Sequence, residues 1–261
     1  MNRTCFSYLA CLCFCAASLT GPVAFAQDDA EESAMDLTSA ASKLLAAGKY
    51  AEAIVPLKKL TERSPNQTQY HFTLADARFM NAEMKESVAS YDRAIELAPA
   101  LAPRCWQRGL ALYYAEEFEK GKSQFETHQT VNRQDVENSV WHMLCHARIA
   151  SVEKAREEMI PISGDQRVPM PEVFNLFAGE GTVQQVLDAA TAVESESEYQ
   201  RKQARYYAHL YIGLFQEMVG ESDNSLESMR KAVELNPIAK SQLMGTVADV
   251  HLNLRDPEYQ K

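Results

Sequence analysis

From about residue 34 onward, apolar side chains recur at three- and four-residue intervals, the spacing that places side chains on one face of an α-helix. These stripes repeat at a longer period. Tyr50, Met84, Phe118 and Val152 stand 34 residues apart, as do Leu57, Tyr91, Phe125 and Met159. A third ladder, Ala53, Ser87, Gly121 and Ala155, is uniformly small, and Pro65 and Pro99 begin a fourth that lapses at Arg133. The pattern predicts helix pairs over 34–67, 68–101, 102–135 and, in degenerate form, 136–169. A fifth pair over 206–239 carries Gly213, Gly220, Ser225, Met229, Ala232 and a closing Glu234-Leu235-Asn236-Pro237. Between them lies an insert, 170–205, with Pro171, Gly179 and Gly181 and an amphipathic run from Val183 to Val193, predicted to be a short helix pair. Leu243, Val247 and Val250 share one face of a final helix over 240–254, expected to cap the last repeat, and a polar tail fills 255–261.

A period of 34 with small residues at the helix crossing, a large apolar residue one turn later and a terminal proline resembles the tetratricopeptide repeat (TPR). Gly48-Lys49-Tyr50-Ala51-Glu52-Ala53 is similar to the turn and opening of that family's second helix, and Asp92-Arg93-Ala94-Ile95-Glu96-Leu97-Ala98-Pro99 to its close. The expected fold is therefore all-α: a right-handed TPR superhelix with an irregular helical insert and a C-terminal capping helix. Neither helix of such a pair buries its stripe alone, so the repeats must stack and leave a concave face.

The N-terminus changes which residues belong to that fold. Arg3 is followed by an apolar run through Leu9, Leu12 and Phe14 and then Ala24-Phe25-Ala26, the pattern of a secretory signal peptide cleaved after Ala26. Asp28, Asp29, Glu31 and Glu32 make 27–33 an acidic linker. Cys11, Cys13 and Cys15 lack the neighbours of a lipid-attachment site, so a periplasmic or secreted protein is expected rather than a lipid-anchored one. The precursor's net charge is −10, and without Arg3 the mature chain carries 25 basic against 36 acidic residues, or −11. That balance argues against nucleic acid and anionic membrane surfaces as partners. Four of six cysteines fall in the signal region, which leaves Cys105 and Cys145 and excludes a disulfide-stapled fold. Their offset of six helical residues, about 9 Å along nearly parallel axes, exceeds disulfide reach.

A narrower resemblance rests on Arg108-Gly109-Leu110-Ala111-Leu112-Tyr113-Tyr114, the Val140-Trp141 pair, the irregular insert and the run Tyr207 to Gly220. Together these resemble NlpI-type envelope lipoproteins, dimeric TPR adaptors that bring cell-wall hydrolases and proteases together. The resemblance implies a periplasmic adaptor, a homodimer and an envelope protein or peptide as partner. TPR proteins line their concave groove with set positions of the first helix. In this sequence those are Gln69, Phe72, Asp76 and Phe79, then Trp106, Leu110, Tyr113 and Tyr114, then Glu137, Val140 and Leu144. Such a groove is aromatic and mildly acidic, without the Lys, Arg and Asn set that clamps a C-terminal carboxylate. It suits a peptide with apolar anchors. The first helix also carries core positions, and burial is the commoner fate of aromatics such as Phe72 and Phe79, whereas Trp106 and Tyr113 are the expected groove anchors.

Catalytic chemistry is weakly signalled. His142 and His146 share a helical face, but no glutamate completes a zinc-protease helix, and their repeat positions normally pack between helices. No metal, cofactor or enzymatic activity is expected. The acidic run Glu194, Glu196 and Glu198 reads as solvated surface. The competing functional reading is a structural subunit of an outer-membrane secretion or pilus assembly complex.

Overall fold

Helix pairing follows directly from the apolar stripes. The computed structural model describes residues 32–194 and 197–259, so the signal-peptide reading of 1–26 and nearly all of the acidic linker lie outside the described residues. Helices α1 (Ala34–Ala46) and α2 (Tyr50–Arg63), α3 (Thr68–Met80) and α4 (Met84–Leu97), and α5 (Trp106–Tyr114) and α6 (Phe118–Gln129) form three successive hairpins, with a 3-10 turn at Pro99–Arg104 before α5. Each second helix also packs on the first helix of the next hairpin, α2 on α3, α4 on α5 and α6 on α7 (Val136–Ile149). No strand occurs among the described residues. The protein is an all-helical solenoid of the TPR type.

Local chemistry sets the helix ends. Ser33 Oγ accepts from Asp36 N at 3.1 Å while the Asp36 carboxylate accepts from Ser33 N at 3.3 Å, a reciprocal box that starts α1. Gly48, Ala82 and Glu116, spaced 34 apart, close the first helix of each hairpin with φ of 75°, 60° and 63°. The left-handed conformation suits glycine, and at the two later positions a Cβ must be accommodated in it. Where the hairpin helices cross, Ala53, Ser87, Gly121 and Ala155 are all buried. A Cβ on Gly121 would stand 2.8 Å from Cys145 Sγ, and one on Gly109 only 2.4 Å from Phe125 Cζ.

Beyond α7 the period loosens. The fourth hairpin's second helix, α8, spans only Val152–Glu157, and the chain then runs without helix to α9 (Met170–Ala178) and α10 (Val183–Thr191). Helix α11 (Glu198–Met218) begins eight residues before the expected repeat start at 206 and pairs with α12 (Ser222–Leu235). It also packs on α9, α10 and α7. The last segment differs most from expectation. It forms a 3-10 turn at Leu243–Gly245 and helix α13 (Val247–Arg255), and both reach α3 in addition to α12's contact with α13. Tyr50 Oη donates to the Lys240 carbonyl at 2.9 Å, tying the first repeat to the chain's end.

Two substitutions test this packing. Gly109→Ala should destabilise by about 1–3 kcal/mol, because the Phe125 ring has to leave its seat. Ala82→Gly should stabilise by about 0.5–1 kcal/mol through relief of the left-handed backbone, net of the entropy glycine adds to the unfolded chain. Denaturant midpoints at constant slope read both.

Candidate functional site

Helices α3, α5, α7 and α11 carry the positions expected to line the concave face, and the chain's own C-terminal segment packs on α3 and reaches Tyr114 of α5. Tyr114 Oη and His251 Nδ1 are 3.2 Å apart, and Ser225 Oγ lies 3.5 Å from His251 Nε2. Burial lowers the His251 imidazole to about 4 despite the nearby Glu217 carboxylate. Tyr113 Oη donates to Glu217 Oε2 at 2.8 Å, and Arg255 Nε donates to Glu217 Oε1 at 2.8 Å. The Tyr206 hydroxyl donates to the Met244 carbonyl. Trp141 meets Tyr113 and Tyr114 edge to face at 5.4 and 6.0 Å.

This arrangement corrects the sequence's groove. Phe79 (0% exposed), Leu110 (1%), Tyr113 (1%), Tyr114 (5%) and Val140 (0%) are core residues, not open groove positions, and Leu144 is buried with them. The cause is tertiary: residues 243–255 return from the end of the chain to α3, to Tyr114 and to the Glu217 that holds Tyr113, while α9 and α11 pack on the α7 that carries Val140 and Leu144. The stretch from Arg108 to Tyr114 is likewise committed to structure. Arg108 Nε bonds Asp92 Oδ1 at 2.6 Å, Arg108 Nη1 bonds Gln124 Oε1 at 3.1 Å, and Gly109 makes room for Phe125.

Three of the eight expected groove residues, Phe72, Asp76 and Trp106, remain partly exposed. Phe72 stands edge-on to Tyr91 at 5.3 Å, and the Tyr91 hydroxyl donates to Asp76 Oδ1. Burial pushes the Asp76 carboxyl up to about 7, with the Tyr91 hydrogen bond opposing the shift. Trp106 opens onto a pocket of about 210 Å³ walled by Leu110, Phe125, Asn138, Trp141 and Met244, with Asp135 and Glu137 at its polar side. Asp135 caps α7, accepting from Glu137 N at 3.1 Å. Arg167, on the chain that follows α8, donates to Asp135 Oδ1, Glu137 Oε2 and Asp165 Oδ2, each at 2.7 Å, and Tyr211 Oη donates to Glu137 Oε1 at 2.7 Å. Burial raises the Glu137 carboxyl, and Arg167 partly offsets this. Trp141 Nε1 and Asn138 Oδ1 are buried without a hydrogen-bond partner.

Among the expected groove residues, Trp106, Leu110 and Glu137 are the ones that meet at this pocket. Asp135, Asn138 and the partner cation Arg167 escaped the sequence reading, since nothing in the local pattern shows that residue 167 folds back onto the start of α7. His142 and His146 are buried between helices, with Nε2 atoms 3.4 Å from Glu126 and 3.7 Å from Glu158. Among the described residues no group of three or more His, Cys, Asp or Glu is placed to hold a metal ion. Cys105 and Cys145 are free and buried, and burial raises the Cys105 thiol to about 12.

No protein-family model and no curated protein matches the chain. Among solved structures, the MamA RS-1 ArsTM double mutant is similar at 15% identity over 77% of this chain and 93% of that one, with a TM-score of 0.46. MamA 41-end from Desulfovibrio magneticus RS-1 is similar at 15% identity, 77% and 94% coverage and a TM-score of 0.46. A third structure of MamA protein gives 15%, 78% and 91%, and 0.45. The repeat architecture described above rests on the helix pairs themselves and not on this likeness.

The Asp76 shift has a sign that can be checked. A carboxyl raised in the folded state favours folding fully below its unfolded value near 4 and loses that contribution as pH rises toward 7. Wild-type stability should therefore fall relative to Asp76→Asn between about pH 4 and pH 7. Chemical denaturation of both proteins across that range measures the difference.

Proposed function

We propose that the protein is a non-catalytic interaction scaffold whose partner docks on the part of the concave face that the C-terminal segment leaves open. The observation that carries this is Trp106: a large aromatic left partly exposed at a pocket, while Phe79, Tyr113, Tyr114 and Trp141 beside it are sealed. Tryptophan is favoured at binding surfaces because it offers wide contact area with few torsions to freeze. Phe72 and Asp76 extend the partly exposed strip on α3. The solenoid supplies a rigid platform for them, since α3 and α5, which carry these residues, are each held between neighbouring helices.

The N-terminal signal pattern and the resemblance to NlpI-type proteins support placing this scaffold in the cell envelope, as an adaptor for envelope proteins such as cell-wall hydrolases or proteases, acting alone or as a homodimer. An adaptor of that kind binds reversibly and is stable without its partner.

Affinity capture from an envelope extract by the mature protein, beside Trp106→Ala, tests the reading. Trp106 is the appropriate position because it is partly exposed, whereas Tyr113 is buried in the core. Specific envelope proteins should be retained by wild type and lost by the variant at unchanged helical circular dichroism. Equal capture by both would move the interface elsewhere on the solenoid.

A further inference from the structure

We infer that the Trp106 pocket takes the guanidinium of an arginine side chain presented by a partner peptide, a reading that rests on the scaffold function above and specifies its ligand. Size is the first constraint. About 210 Å³ falls below the roughly 300–1,000 Å³ of sites that enclose drug-sized ligands, and it matches one long side chain entering from a chain outside.

Charge is the second. Asp135 and Glu137, the two carboxylates that line the pocket, share a single guanidinium, Arg167, with Asp165, which lies outside the lining, so three carboxylates are set against one cation. No lysine or arginine lines the pocket among the described residues. A second cation would complete the balance, and it would also favour the ionised form of Glu137, which burial disfavours. The chain's net charge of −10 acts in the same direction at long range.

Hydrogen bonding is the third. Buried polar atoms are seldom left unpaired, yet Asn138 Oδ1 and Trp141 Nε1, on residues 3% and 1% exposed, both lack partners and both residues wall this pocket. An incoming guanidinium would supply a donor for Asn138 Oδ1 and the backbone carbonyl of the same peptide an acceptor for Trp141 Nε1. Trp106 gives the planar group a face to stack on. Arginine fits this set better than lysine because its donors form a fixed planar fork and it is less strongly hydrated.

The chain's two tryptophans, Trp106 and Trp141, both line the pocket, so fluorescence excited selectively through tryptophan reports on this site. The mature protein is titrated with acetylated, amidated tripeptides bearing a central arginine, lysine or glutamine, and with free arginine. The arginine tripeptide should shift the emission saturably and bind about tenfold or more tightly than the glutamine tripeptide. Asp135→Asn, which keeps a good helix cap, should weaken it by about tenfold. Equal affinity for the glutamine and arginine tripeptides would overturn the inference, as would lysine binding as tightly as arginine. Free arginine binding as tightly as the tripeptide would overturn the peptide as its source. No emission change with any ligand also overturns it, and leaves the scaffold reading standing where Trp106→Ala still loses captured proteins. Tight arginine binding without such a loss defeats the scaffold reading instead.

Discussion

The aromatic centre of the concave face cannot be left in water, and most of the architecture follows from how it is covered. Tyr113, Tyr114 and Trp141 meet edge to face on the inner helices, each bringing a polar group that must be satisfied if the ring is buried. The C-terminal segment supplies two of the partners. His251 faces the Tyr114 hydroxyl, and Arg255 holds Glu217, which in turn receives the Tyr113 hydroxyl. Covering the tyrosines therefore requires the chain's last helix, α13, to come back to α5. Trp141 Nε1 is the exception among the three rings: it is buried at the wall of the Trp106 pocket without a hydrogen-bond partner.

The pocket has two unlike walls. Its apolar wall is the edge of the core, while its polar wall is the start of α7, where a cap, a glutamate and a returning arginine are drawn together. The Arg167 cluster has a structural role in the first instance. With Gln134 Oε1 receiving Ser163 N and Gly164 N at 3.0 and 2.8 Å, it fastens the helix-free stretch after α8 against α7. A fastening built with more carboxylates than cations leaves residual negative charge beside a partly exposed indole, and recognition can use that surplus without disturbing the fold.

The narrower resemblance looks different beside the structure. The residues from Arg108 to Tyr114 are all explained by packing: an ion pair to Asp92, a glycine beneath Phe125, and two tyrosines sealed under the C-terminal segment. A motif consumed by packing speaks to how repeats stack and not to what they bind. The adaptor proposal therefore leans on Trp106, which stands just before that stretch.

By itself the sequence determined the periodic part of the protein. A 34-residue ladder of small residues marks helix crossings, and the left-handed turns at Gly48, Ala82 and Glu116 recur at the same interval, because hairpin geometry is local and repeats whenever its residues do. Only the tertiary structure decided which face of the first helices stays open. Apolar spacing states that Tyr113 or Trp106 lies on a given side of a helix, but burial depends on what arrives from elsewhere, and residues 243–255 arrive from more than a hundred positions away. Six buried residues, Phe79, Leu110, Tyr113, Tyr114, Val140 and Leu144, and one partly exposed tryptophan thus share a single pattern in the sequence. The difference between core and site is set by a long-range contact that no local period encodes.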